Sequence, residues 1–207
     1  MNRLVAVFVV TAAVAVVAGS ARAQVQPLPS STAALQLGLD HARGLALQGA
    51  FALGKANASE VVQNGLLVTA RADGASQLVG VGLGFQLHQR FSDVVFLREV
   101  VVAEPFVSAL DGPVVGARGD VLLQLGLDLG GVQLLVGPRA TAVAVLDREV
   151  PGRVVLDGVV GVRVPVMDHV AVVGSASAGG EQAHRGGALQ PGGAVSGSLW
   201  VGVQLGL

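Results

Sequence analysis

An all-β fold, an antiparallel up-and-down transmembrane β-barrel with ten strands favoured and eight as the alternative, is what three features of this sequence predict. First, the closing stretch Ser196 to Leu207 alternates cleanly. Leu199, Val201, Val203, Leu205 and Leu207 share one face, and Trp200, Gly202, Gln204 and Gly206 share the other, because successive strand side chains point to opposite sides. Second, the chain opens with an export signal. Third, 30 glycines and 52% apolar residues accompany only 13% charged ones, against about a quarter charged in soluble domains. Low charge suits a wall that meets water on neither broad face.

Arg3 supplies a short positive n-region, Leu4 to Ala18 is an apolar run, and Ala21-Arg22-Ala23 fits a small-x-small cleavage site. Residues 1–23 are therefore expected to be a cleavable secretory signal peptide. The run is shorter than the ~20 residues of a membrane-spanning helix. Residues 24–32, with Pro27 and Pro29, form an extended lead-in, and 33–207 form a single barrel domain. Removing Arg3 and Arg22 takes the basic count from 13 to 11 against 14 acidic residues. With Lys55 as the one lysine, the charge gives no case for nucleic-acid binding. There is no cysteine, hence no lipid-attachment cysteine and no disulfide framework.

The elements follow in order, with a period of two rather than 3.6. Leu35, Leu37 and Leu39, then Leu45, Leu47, Phe51 and Leu53, make a first hairpin across His41-Ala42-Arg43. Lys55 to Asn64 reads as a polar turn. Leu66, Val68, Ala70 and Ala72 lie opposite Leu67, Thr69, Arg71 and Asp73. Beyond Gly74-Ala75-Ser76, Val79, Val81, Leu83, Phe85 and Leu87 alternate with Gly80, Gly82, Gly84, Gln86 and His88. Val94 to Glu104 is a strand in which adjacent Arg98 and Glu99 call for a bulge or register shift. Glu104 to Arg118, bracketed by Pro105 and Pro113, reads as a long loop.

Val121 to Leu129 then turns at Gly130-Gly131, a pair favoured in two-residue hairpins. Val132 to Leu146 carries Pro138, which removes a ladder hydrogen bond. Arg148, Pro151 and Gly152 mark a loop. Val160 to Val166 turns at Met167-Asp168-His169 into Val170 to Gly179, and Gly180 to Ala194 reads as the longest loop before the closing strand. Short turns then fall on the side of the C-terminus and long loops on the other, the Lys55 to Asn64 link excepted, as in membrane barrels.

If the apolar rows face lipid, the opposite parity fills the lumen. Arg71, Asp73, His88, Asp128, Arg139 and Arg163 are the candidate members of a structural polar network there, because buried charges need partners. Eight to ten strands leave little room for water, so the lumen is expected to be plugged and not a diffusion pore. Catalytic, metal and cofactor sites are not expected. His41, His88, His169 and His184 show no metal-ligand spacing, no Gly-x-Ser-x-Gly elbow occurs, and Gly80-x-Gly82-x-Gly84 lacks a following helix.

With the signal, ten amphipathic segments and closing strand together, the chain resembles the small outer-membrane β-barrel proteins of Gram-negative bacteria. The resemblance is one of pattern and covers nearly all of 24–207. It implies residence in the cell outer membrane, outer-membrane lipid as the surroundings, and barrel-assembly machinery as a partner through the C-terminal strand. It implies a structural or cell-surface interaction role and no enzymatic one. Two features depart from that family: aromatics are few, with no tyrosine, and the chain ends in Leu207 where such strands end in phenylalanine. The alternative reading is a soluble exported β-barrel, periplasmic or secreted, with its leucines and valines turned inward around a lipid or other apolar ligand. A third, barrel-rim hydrolysis, would draw on His88 or His184 as base.

Overall fold

A computed structural model describes residues 31–40, 44–54, 62–74, 77–109, 113–146, 152–185 and 188–206; the expected signal peptide lies outside them. Ten strands run in chain order: β1 (Ser31–Asp40), β2 (Gly44–Gly54), β3 (Val62–Asp73), β4 (Leu78–Arg90), β5 (Val95–Ser108), β6 (Val114–Leu129), β7 (Val132–Val145), β8 (Gly152–Met167), β9 (Val170–Arg185) and β10 (Ala188–Gly206). Each pairs antiparallel with its sequence neighbours, and β1 pairs with β10 to close the barrel. In that seam Gln36 lies opposite Gly202 and Gly38 opposite Trp200. Closure leaves no free sheet edge, which is how an all-β wall satisfies its backbone.

The alternation sets the faces as expected. Leu35 is 58% exposed and Leu83 is 70% exposed, and similar rows on every strand point outward, including Val121, Leu123, Leu125 and Leu127 on β6. The opposite parity turns inward, with Arg71, Asp73, Gln124, Asp128, Thr141 and Asp157 all buried. The reversed barrel, leucines inside and polar rows in water, is therefore overturned.

Several boundaries differ from expectation. Ser31 and Thr32 already belong to β1, and Val62 to Asn64 to β3. Arg98 and Glu99 need no bulge: β5 keeps an unbroken register with β6 from Val95↔Leu127 to Ser108↔Val114. Arg98 enters the lumen and Glu99 sits on the outer parity, half-buried. The two expected long loops are mostly strand. Pro105 stands within β5 opposite Ala117, and pairing with β4 lapses around it, between Gly80↔Phe106 and Leu83↔Ala103, an irregularity that accommodates the missing N–H. Gly180 to Ala194 divides between β9 and β10, with a register shift between Leu189 and Gly193 absorbing Pro191 and its glycines. The expected contrast between short turns and long loops is thereby lost. Pro138 does interrupt pairing: contact with β6 lapses between Leu122↔Arg139 and Leu125↔Val136, while the β8 side continues.

Two rims result. The terminus-side rim holds the start of β1, the end of β10 and the tight Gly130-Gly131 turn; the distal rim lies at the other end. At that turn φ is 69° at Gly130 and 99° at Gly131, both in the region that glycine enters freely. Asp128 Oδ1 accepts from the Gly131 N–H at 2.8 Å and fixes it.

Candidate functional site

The lumen divides into two halves. Toward the distal rim it is filled. Leu78, Phe106 and Val143 form a buried cluster with Val145 beside it. Next to them, Arg139 Nη2 donates to Asp157 Oδ2 at 2.5 Å and to Ser177 Oγ at 3.1 Å. Ser196 Oγ donates to the other Asp157 oxygen, and Ser177 and Ser198 share a hydrogen bond of 2.8 Å. Arg118 Nε pairs with Asp120 Oδ2 at 2.6 Å while Thr141 Oγ1 donates to Asp120 Oδ1. Nearer the rim, Arg153 and Glu181 pair at 3.3 Å across β8 and β9.

Inward aromatics support the wall as well as the filling. Phe96 lies opposite Gly126 and Trp200 opposite Gly38. A Cβ on either glycine would collide with the facing ring, so these two positions require glycine, and the ring covers the backbone that the missing side chain exposes.

Toward the terminus-side rim the lumen encloses a cavity of about 310 Å³. One wall is apolar: Ala52, Leu67, Val100 and Val102 form a buried cluster with Ala50 and Leu122 beside it, and all six line the cavity. The rest is polar, with Gln36, Gln48, Gln124 and Gln204 among the lining amides. Arg71, Arg98, Arg118, Arg139 and Arg163 reach it, against the carboxylates of Glu104 and Asp120. The lining includes Thr32, Asn64, His88, Phe96 and Gln204, close to the terminus-side rim, and leaves out Asp73, Phe106, Val143, Asp157 and Ser196 farther up. The cavity is thus blind at the distal plug.

All six sequence-predicted lumen residues face inward, but they do not form one network. Arg71 Nη2 stands 3.8 Å from Asp73 Oδ2, and its Cζ lies over the Trp200 ring, 5.4 Å from the centroid, a cation–π geometry. His88 stacks on Phe96 at 4.4 Å between ring centroids. Asp128 accepts from Gln133 Nε2 at 3.2 Å in addition to holding its turn. Arg139 belongs to the Asp157 cluster, and Arg163 Nε donates to the neutral Gln204 Oε1 at 3.1 Å. Asp157, Asp120, Arg118 and Arg98 went unrecognised. Counting back by twos from Arg163 reaches Asp157, so the signal was present but fell in a segment that Pro151 and Gly152 marked as loop. His88 and His184 lie toward opposite rims of the barrel, so they form no shared site. Among the described residues no three His, Asp or Glu side chains gather as metal ligands.

No protein-family pattern matches the chain, and no curated protein matches its sequence. Among solved structures, the siderophore receptor PirA from Pseudomonas aeruginosa is 10% identical with a TM-score of 0.42, covering 88% of this chain and 35% of that one. The anion-selective porin from Comamonas acidovorans is 11% identical with a TM-score of 0.35, covering 87% and 57%. The translocator domain of the autotransporter NalP from Neisseria meningitidis is 13% identical with a TM-score of 0.37, covering 97% and 95%. The chain thus spans about a third of the first and just over half of the second. At this level the overlap carries nothing about function.

Proposed function

We propose that this chain is an outer-membrane β-barrel of a bacterial envelope with a structural or cell-surface interaction role and no enzymatic one. The observation that carries the reading is the outer surface. Leucines and valines stand exposed on every strand, while Arg71, Arg118, Arg139 and Arg163 and their polar partners turn inward. Soluble monomers expose apolar patches of a few hundred Å², not a belt around the whole molecule. Outer-membrane lipid is the medium that such a belt matches, and the closing β10 strand is the segment for the barrel-assembly machinery to read. The terminus-side rim would then face the periplasm.

The interaction role rests on strand length. A crossing strand needs about 9–11 residues, and β1 has 10 whereas β10 has 19. The surplus of β8, β9 and β10 stands at the distal rim as a ledge that carries the Arg153–Glu181 pair and Gln182 together with exposed Leu189 and Val195.

The test is heat modifiability: residues 24–207 are folded into detergent micelles, and boiled and unboiled samples are compared by gel mobility. A shift together with β-rich circular dichroism supports the membrane barrel. A chain that folds and stays soluble without detergent overturns it.

A further inference from the structure

We propose that the terminus-side half of the lumen is a binding cavity for a small organic anion with an apolar body, its charge held by Arg98 and Arg163. The inference concerns the inside of the barrel alone and does not depend on the role given to the distal ledge.

It begins with charge. Three of the five cavity arginines have carboxylates within reach: Arg71 has Asp73, Arg118 has Asp120, and Arg139 has Asp157. Among the described residues, no carboxylate stands at ion-pair distance from Arg98 or Arg163. Arg98 faces His88 on β4 and Gln124 on β6 in register, and Arg163 donates only to the amide oxygen of Gln204. Asp128, in register with Gln133 next to Arg163, is the nearest acidic charge to act on Arg163 through space, but it stands beyond ion-pair distance, is held by Gly131 and Gln133 and does not line the cavity.

The one cavity carboxylate without an ion partner is Glu104, which receives Thr69 Oγ1 at 3.5 Å. It sits six residues up β5 from Arg98, roughly 20 Å along the strand at ~3.3 Å per residue, at the blind end. The mouth is therefore cationic. Arginine in a confined space without a carboxylate is disfavoured unless an anion joins it, and its planar fork suits carboxylate geometry.

The rest of the pocket decides what kind of anion. A space of about 310 Å³ lies at the low end of small-molecule sites. The wall of Ala52, Leu67, Val100 and Val102 would hold an apolar body rather than a hydrated inorganic ion. The distal plug keeps the ligand from passing through, so the cavity is a receptacle whose described lining reaches toward the terminus-side rim.

Trp200, the chain's one tryptophan, lines the cavity and reports on it directly. The folded barrel in nonionic detergent is titrated with 4-nitrobenzoate and, separately, with 4-nitrobenzyl alcohol, both quenchers of the same shape and different charge. The expected result is saturable quenching by the carboxylate at a concentration at least ten-fold lower than by the alcohol. In R98Q/R163Q, checked for unchanged unboiled gel mobility, that preference falls to within two-fold, and R98K alone retains most of it. Equal or non-saturating quenching of the natural chain by the two compounds overturns the proposal, whether or not the variants fold. So does a preference that survives in R98Q/R163Q.

Discussion

The two halves of the lumen are built from the same alternation and the same residue types, yet one is packed and the other hollow. In the distal half the charges meet complements: Arg139 with Asp157 and Arg153 with Glu181 across neighbouring strands, and Arg118 with Asp120 along β6. Apolar side chains close the remaining space. In the terminus-side half, the apolar cluster on β2 to β5 stays on its own wall, and Arg98 and Arg163 face neutral groups. Strand parity decides which residues enter a lumen. Whether they fill it depends on the sizes of the side chains that meet at one height. Phe106, Leu78 and Val143 converge, whereas Ala50, Ala52 and Gly161 leave room. Stability is thus concentrated in one half, and capacity for a guest in the other.

Four substitutions sharpen that contrast, each read by reversible urea unfolding of the folded barrel. Phe106→Ala removes the largest plug side chain and uncovers Gly116 opposite it; a loss of about 3–4 kcal/mol is expected, as for buried Phe→Ala changes. Asp157→Ala strips Arg139 of its carboxylate and Ser196 of its acceptor. About 3 kcal/mol is expected, since breaking a buried pair strands the remaining charge. Val100→Ala, on the cavity wall, enlarges a space that already exists and is expected to cost only about 1 kcal/mol, below the usual range for closely packed sites. Arg98→Gln, which removes a confined charge without an acidic partner, should change stability by less than about 1 kcal/mol and in the favourable direction. If Arg98→Gln proved as damaging as Asp157→Ala, the division of the lumen would fail.

Much of the fold was legible because a barrel strand needs only a period of two and an end. Leu66 to Asp73 and Val79 to His88 placed their faces correctly from sequence. What misled were local punctuation marks. Pro105 and the glycines between Gly179 and Gly193 read as loop, but a proline at a lapse in one ladder and a register shift both fit inside long hairpins. Those misread stretches hid Arg118 and displaced the expected loops. The candidate site was legible only as a list of inward residues. Which arginine meets which acid depends on strand tilt and offset, and these are properties of the closed barrel rather than of any segment. The cavity could not be read at all, because no sequence period records the height at which side chains from ten strands meet.

The seam between β1 and β10 has a consequence for how this chain comes into being. Every other strand pair joins sequence neighbours and can zip from a turn, but Gln36 must find Gly202 and Gly38 must find Trp200, with nearly the whole barrel between them. Bringing such distant segments together is the slow step of a folding reaction. Until Leu199 to Gly206 has emerged and crossed to its partner, both outer strands present unpaired backbone, a template for any passing strand. Assembly is therefore governed by the arrival of β10 at β1. The same alternation that makes the finished wall stable leaves the unfinished one with two open edges.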